Sequence, residues 1–211
     1  MILIPHPQGS AEWLAARAGV FTASTFGDLM AMTKSGPSTS RIRLITKLAI
    51  ERITGQAQPT FQNEAMRRGQ ELEPFARAAY EAHTGELVQT VGLALHDELP
   101  NVGASVDGLV GDDGLVEFKC PDSQDKHVQA LRSGAHADEY RWQIMGQLWV
   151  TGRAWCDAVS YDPRFPDGLQ LAIRRVERDE EAIAALKAAY TKAERETVAL
   201  VDELLSMRNA A

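Results

Sequence analysis

Three residues could do chemistry together: Asp107, Glu117 and Lys119. They lie in VDGLVGDDGLVEFKC (106–120), which reads as two short strands around a Gly-Asp-Asp-Gly turn. Alternation along the second strand puts Leu115, Glu117 and Lys119 on one face, and Val116 and Phe118 on the other. A carboxylate and an ammonium thus face a second carboxylate, Asp107, across the turn. A solvated ion pair on a sheet face has the same pattern and contributes roughly 0–1 kcal/mol. The chemical alternative is a metal site. Two carboxylates suit Mg²⁺, which prefers oxygen ligands and keeps several waters. A lysine beside them would orient an attacking water and steady charge developing on a phosphate. The local pattern leaves both open.

The elements that must position this trio can be read coarsely. Ser10 caps a short helix over 10–18, and Thr22 or Ser24 a second over 22–32. KSGPSTS (34–40) reads as a loop. A helix is expected from about Ser40 to Thr54, with Ile42, Ile45, Leu48 and Ala49 as its apolar stripe and Gly55 just past its end. Residues 63–83 read as helix, with a kink or restart at Pro74 and with Gly69 permitting close approach of a backbone or a ligand. Strands are expected near 86–95, 102–110, 114–119, 155–161 and 169–176. Helices are expected near 123–132 and 138–151, and a long Ala-rich one over 178–207. This order suits an α/β or α+β domain with a central mixed sheet.

With 211 residues the chain is long enough for one large domain, and a single domain over 1–211 is expected. Its 45% apolar and 24% charged residues fit an ordinary globular protein. No apolar run approaches the roughly 20 residues that cross a bilayer. MILIPHPQGS lacks the basic region and long apolar stretch of a secretory signal, so the expected location is the cytoplasm, with no membrane partner. Cys120 and Cys156 form no CxxC pair, and two thiols cannot supply the four ligands of an iron–sulfur cluster. A net charge of −7 argues against a generic nucleic-acid coat, which is normally basic. It leaves room for a nuclease, because metal-binding carboxylates add negative charge and bound Mg²⁺ reverses the local field. Basic clusters at Arg41, Arg43, Lys47 and Arg52, and at Arg67 and Arg68, read on charge alone as solvated helix faces. The five histidines show no paired metal spacing, and the four tryptophans fit packing better than base stacking.

Asp107, nine residues, Glu117, one residue, Lys119 resembles the PD-(D/E)xK signature of restriction-endonuclease-like nucleases, with Val106 in place of the proline. The surrounding blocks ARAGVFTAS (16–24), RGQELEPFAR (68–77), GASVDGLVGDDGLVEFKCP (103–121), QIMGQLWVTG (143–152) and YDPRF (161–165) resemble the phage lambda exonuclease family, the alkaline exonucleases of phage recombination systems. The likeness implies an α/β, restriction-endonuclease-like core with a central mixed sheet flanked by helices. It implies that Asp107, Glu117 and the Phe118 carbonyl hold two Mg²⁺ ions, with Mn²⁺ as a substitute, and that Lys119 is catalytic. Glu73 and Asp97 match further acidic positions, although Asp97 reads equally well as a turn residue in HDELPN. Gln143 matches a glutamine near the scissile phosphate. Arg17, Ser24 and Ser105 match a pocket for a terminal 5′-phosphate, and Met66 an apolar wedge at the duplex end, where a core methionine is the plain alternative. In that setting Arg67, Arg68 and the 41–52 segment would track backbone phosphates. The implied activity is processive 5′→3′ digestion of 5′-phosphorylated double-stranded DNA by a homotrimeric ring, which hands a 3′ overhang to a single-strand annealing protein. The rivals are an endonuclease of the same fold and a non-catalytic protein that binds DNA ends.

Overall fold

The computed structural model describes residues 1–34, 36–59, 63–99 and 101–210. β1 (Ile2–Ile4) leads to α1 (Ala11–Arg17), where the Trp13 amide donates to Ser10 Oγ at 3.1 Å, the expected cap. β2 (Phe21–Thr22) runs into a 3₁₀ turn (Ala23–Thr25) and then α2 (Phe26–Met30). Neither Thr22 nor Ser24 caps a helix here, because both hydroxyls accept from Arg17 instead. The loop expected over 34–40 includes Ser35, which lies outside the described residues. Around it β3 (Met32–Thr33) and β4 (Gly36–Pro37) pair antiparallel. α3 (Thr39–Thr54) starts at Ser38, whose side chain accepts from the Arg41 amide, and stops at Gly55 with φ 67°, a left-handed stop that favours glycine.

α4 (Glu64–Thr84), capped by Asn63, runs unbroken through Pro74. The carbonyl deprived of its helical donor is that of Gln70, which is exposed, so water can serve it. β5 (Val88–Gln89), β6 (Leu93–Leu95), β7 (Val102–Ala104), β8 (Gly108–Val110) and β9 (Gly114–Lys119) follow. Next come α5 (Gln124–Ser133), α6 (Ala135–Glu139) and α7 (Arg141–Thr151), then β10 (Trp155–Tyr161), β11 (Leu171–Glu177) and the long α8 (Glu180–Ala210).

The two strands expected over 86–95 and 102–110 are each split. The reason is topological: β5 and β8 belong to a five-stranded sheet of order β11-β10-β9-β8-β5, while β6 and β7 belong to a four-stranded sheet of order β1-β6-β7-β2. Between β5 and β8 the chain crosses between these sheets twice, and the second crossing is Ser105-Val106-Asp107. The larger sheet is mixed, with β9 parallel to β10 and antiparallel to β8. The two faces of β9 feed different cores. Leu115 joins Ile144, Met145 and Leu148 of α7, whereas Val116 and Phe118 join Ala76 and Tyr80 of α4. This is the alternation expected for the strand.

Candidate active site

Asp107 sits at the sheet crossing, one residue before β8. The pairing Gly108↔Val116 carries on to set it against Glu117. Its Oδ2 accepts from the Phe118 amide at 2.7 Å, which anchors the carboxylate at the end of the ladder. The N–H and C=O of one strand residue point to the same side, so the Phe118 carbonyl also faces this edge. Glu117 is 3% exposed. Its Oε1 accepts from Lys119 Nζ at 2.6 Å and Gln143 Nε2 at 2.5 Å, and its Oε2 from Gln147 Nε2 at 2.5 Å. Lys119 Nζ also donates to Gln143 Oε1 at 3.4 Å and stands 4.3 Å from the centroid of the Tyr140 ring, a cation–π contact. Glu73 reaches in from α4, with Arg77 at 3.7 Å one turn on.

Negative charge is crowded here. Burial, then the like charges of Glu117 and Glu73, push the Asp107 carboxyl well above its usual range. Burial raises Glu73 as well, against the pull of Arg77. For Lys119 burial works against the ammonium, but Glu117 and then Asp107 outweigh it, and its pKa rises. These two carboxylates thus favour the ammonium form of Lys119. Among the described residues no three His, Cys, Asp or Glu side chains form a ready cage for a metal ion. The donor set fits a hard cation that keeps its own waters and takes one or two carboxylates. The excess of buried carboxylate over ammonium is what such a cation would relieve.

Asp107, Glu73, Gln8, Gln70 and Met66 form the saddle between two open cavities. One, of about 650 Å³, holds Glu117, Lys119 and Tyr140. The other, of about 1340 Å³, runs to Arg17 and Trp13. There Arg17 Nη2 donates to Thr22 Oγ1 and Ser24 Oγ, both at 3.0 Å, and the guanidinium lies 4.9 Å from the centroid of the Trp13 ring. Parallel pairing of Phe21–Thr22 with Val102–Gly103 brings the Ser24 segment alongside that of Ser105. Arg17 Nε and Ser105 Oγ are buried without a hydrogen-bond partner among the described residues. Met66 is 46% exposed at the first turn of α4. A Cβ on Gly69 would meet nothing within 4 Å, so this glycine faces the open cleft and no backbone approaches it.

The structure thus brings Asp107, Glu117, Lys119, Glu73 and Gln143 together, and Arg17 with Ser24 beside the same cleft. Asp97 is not among them. It is 65% exposed in the turn after β6, paired with His96 at 3.2 Å and the Met1 ammonium at 3.6 Å. A bond from its own backbone, then that ammonium, hold its carboxyl below the usual range. The structure therefore gives Asp97 the surroundings of a turn residue and sets it apart from the Asp107 cluster.

The basic segment of α3 also differs from expectation. Arg41 is 5% exposed and binds Glu196, Arg52 binds Glu194, and Lys47 lies 3.8 Å from Glu51, so these charges tie α3 to α8 or to itself. Arg68 donates to the Cys120 and Pro121 carbonyls and faces buried Asp162, which Arg164 also holds; the pair fixes the chain just after Lys119. Gln147 was missed, although it stands one helical turn from Gln143 in QIMGQLWVTG, the i, i+4 spacing that puts two amides on one face. Next to it Gly146 lets α7 lie against the 3₁₀ turn, where a Cβ would overlap the Phe26 ring.

Fold and site together define a restriction-endonuclease-like chain with an acid–acid–lysine centre at the joint of two sheets. The chain belongs to the YqaJ-like viral recombinase domain family, which matches residues 12–154. It is similar to the alkaline exonuclease LHK-Exo from Laribacter hongkongensis, at 42% identity over 95% of this chain and 99% of that one, with a TM-score of 0.86. LHK-Exo in complex with dAMP matches at 42% identity over 96% and 100%, with a TM-score of 0.87. A phage-related exonuclease from Haemophilus somnus 129PT, 16% identical over 88% and 96% with a TM-score of 0.71, shares the fold. No curated protein matches. The lambda-exonuclease likeness read from the sequence is borne out by these relatives.

Proposed function

We propose that the chain, as one nuclease domain over 1–211, is a Mg²⁺-dependent 5′→3′ exonuclease on double-stranded DNA. It would release 5′-mononucleotides and leave 3′ overhangs for recombination by strand annealing. The coarser part, a DNA exonuclease role in recombination, is supported by the family and by the 42% identical exonuclease. The observation that carries the finer reading is the single cleft. Asp107 stands on its saddle, with Glu117 and Lys119 on one side and Arg17 on the other, and the Arg17 Nε is buried without a partner among the described residues.

Asp107, Glu117 and the Phe118 carbonyl would hold two Mg²⁺ ions, or Mn²⁺ in their place, with Glu73 on the second ion or its water. When bound, the metal supplies an activated water and polarises the phosphate. Lys119, kept charged by Glu117 and Asp107, steadies the negative charge that builds on the phosphate oxygens. Gln143 holds both Lys119 and Glu117 in place. Arg17, Ser24 and Ser105 would grip the terminal 5′-phosphate, and Met66 would press against the end base pair. A homotrimeric ring in the cytoplasm would keep the DNA by topology, which suits a chain of net charge −7, and an annealing protein would receive the overhang.

The test is digestion of linear duplex, with 5′-phosphate or 5′-hydroxyl ends, with Mg²⁺ or chelator. Rapid nucleotide release from phosphorylated ends, abolished by chelator, is expected. Cutting of a closed circular duplex would turn the assignment to an endonuclease, and no release at all to an end-binding protein. Light scattering that finds a stable monomer would remove the ring.

A further inference from the structure

The pocket around Arg17 is built from three stretches of chain: the end of α1, β2 with the 3₁₀ turn that follows it, and the residue after β7. All are tied to one carboxylate on α8. Arg52 donates to Glu194 through both arms, Nη1 to Oε1 at 3.0 Å and Nη2 to Oε2 at 2.6 Å. The same Arg52 donates from Nε to the Gly19 carbonyl at 2.9 Å, while the Gly19 amide donates to Glu51 Oε2 at 2.9 Å. The turn two residues after Arg17 is thus gripped at both backbone groups by consecutive residues of α3. Gly19 has φ +73°, and a Cβ there would come within 2.5 Å of Arg52 Cγ, so the turn fits this grip only as glycine. Glu194 Oε1 also accepts from Asn101 Nδ2 at 2.8 Å. Asn101 in turn accepts the Phe21 amide at 2.9 Å, beside Thr22, and stands directly before β7, which ends one residue short of Ser105.

We propose that Glu194 is a positioning residue for the candidate 5′-phosphate pocket. By holding Arg52 and Asn101 on one carboxylate, it sets the spacing between Arg17 and Ser105. The inference rests on reading that pocket as the 5′-phosphate site. A helix anchor without this role would change stability and leave end preference alone, so the two are separable.

The experiment measures initial rates on linear duplex with 5′-phosphate and with 5′-hydroxyl ends, in Mg²⁺, alongside thermal melting. It uses the wild type, Glu194→Gln, Glu194→Asp and Asn101→Ser. In Glu194→Gln the preference for phosphorylated ends should fall about tenfold through a higher KM, because a small misplacement of a gripping group is costly. Its kcat, and its rate on hydroxyl ends, should stay within about twofold of wild type. Glu194→Asp should recover part of the preference. A lower melting temperature with the preference intact overturns the proposal. If Glu194→Gln does not fold, Asn101→Ser, which cuts a single link, decides by the same two outcomes. A wild type with no preference removes the pocket reading and the inference with it. A wild-type preference that the variants keep removes the inference alone.

Discussion

The Glu117 centre and the Arg17 pocket open on one cleft but are held together in opposite ways. Both Glu117 oxygens have donors within 2.6 Å, drawn from one strand and one helix. Around Arg17, Nε and Ser105 Oγ lack partners among the described residues, and the groups come from three separate stretches. In the first region both oxygens of the central carboxylate are bonded, and what is left over is charge, more carboxylate than ammonium. In the second, what is left over is buried hydrogen-bonding groups, which the proposed terminal phosphate would engage. Ladder register and helical turn hold the Glu117 group, whereas ties over long sequence distances hold the stretches around Arg17.

The largest effect should come from breaking the Glu117 side. Lys119→Ala should lower nucleotide release by about 10²–10³-fold, the usual loss of a preorganised charge, while gel shift shows linear duplex still bound. Near-normal cleavage would remove the role. Gln147→Leu should cost about 10–100-fold and raise the Mg²⁺ needed for half-maximal rate, since Glu117 Oε2 loses its donor. An unchanged Mg²⁺ titration would show that α7 does not orient Glu117. On the open side, Arg17→Ala should erase about tenfold of the advantage of phosphorylated ends and leave hydroxyl ends nearly untouched.

A fourth effect lies in stability. Burial works to raise the Asp162 carboxyl, but Arg164 and then Arg68 outweigh it and hold it below the usual range. Its contribution is therefore complete above the unfolded pKa of about 3.9 and fades as pH falls through the lower folded value. Asp162→Asn should cost about 1.5–3 kcal/mol at neutral pH, and the gap in melting temperature should begin to narrow only as pH falls below about 4 and close below the folded value. The smallest effect is expected at Asp97: Asp97→Ala should keep cleavage within about twofold, as for a surface change, and a large loss would return this residue to the site.

Local signals were legible where the chain answers to its neighbours. Ser10 and Gly55 marked helix ends by capping chemistry, and alternation along 114–119 separated two cores. What could not be read were the consequences of distant partners. Ile45, Leu48 and Ala49 are buried as the apolar periodicity has it, but Ile42 is 56% exposed and Arg41 faces inward instead, paired with Glu196 far along the chain. The breaks in the strands over 86–95 and 102–110 follow from a second sheet, for which the residues at the crossings give no local sign. Asp97 was set among the site acids by likeness, while its own turn chemistry pointed elsewhere.

One contact joins the two regions. α7 presents Gln143 and Gln147 to Glu117, and at Gly146, between them, it lies against the turn that carries Ser24. Both jaws are thus mounted on one stiff bar. If the proposed exonuclease reading holds, a caliper of that kind has a single opening, so each bite would take the same length of strand, whatever its bases spell.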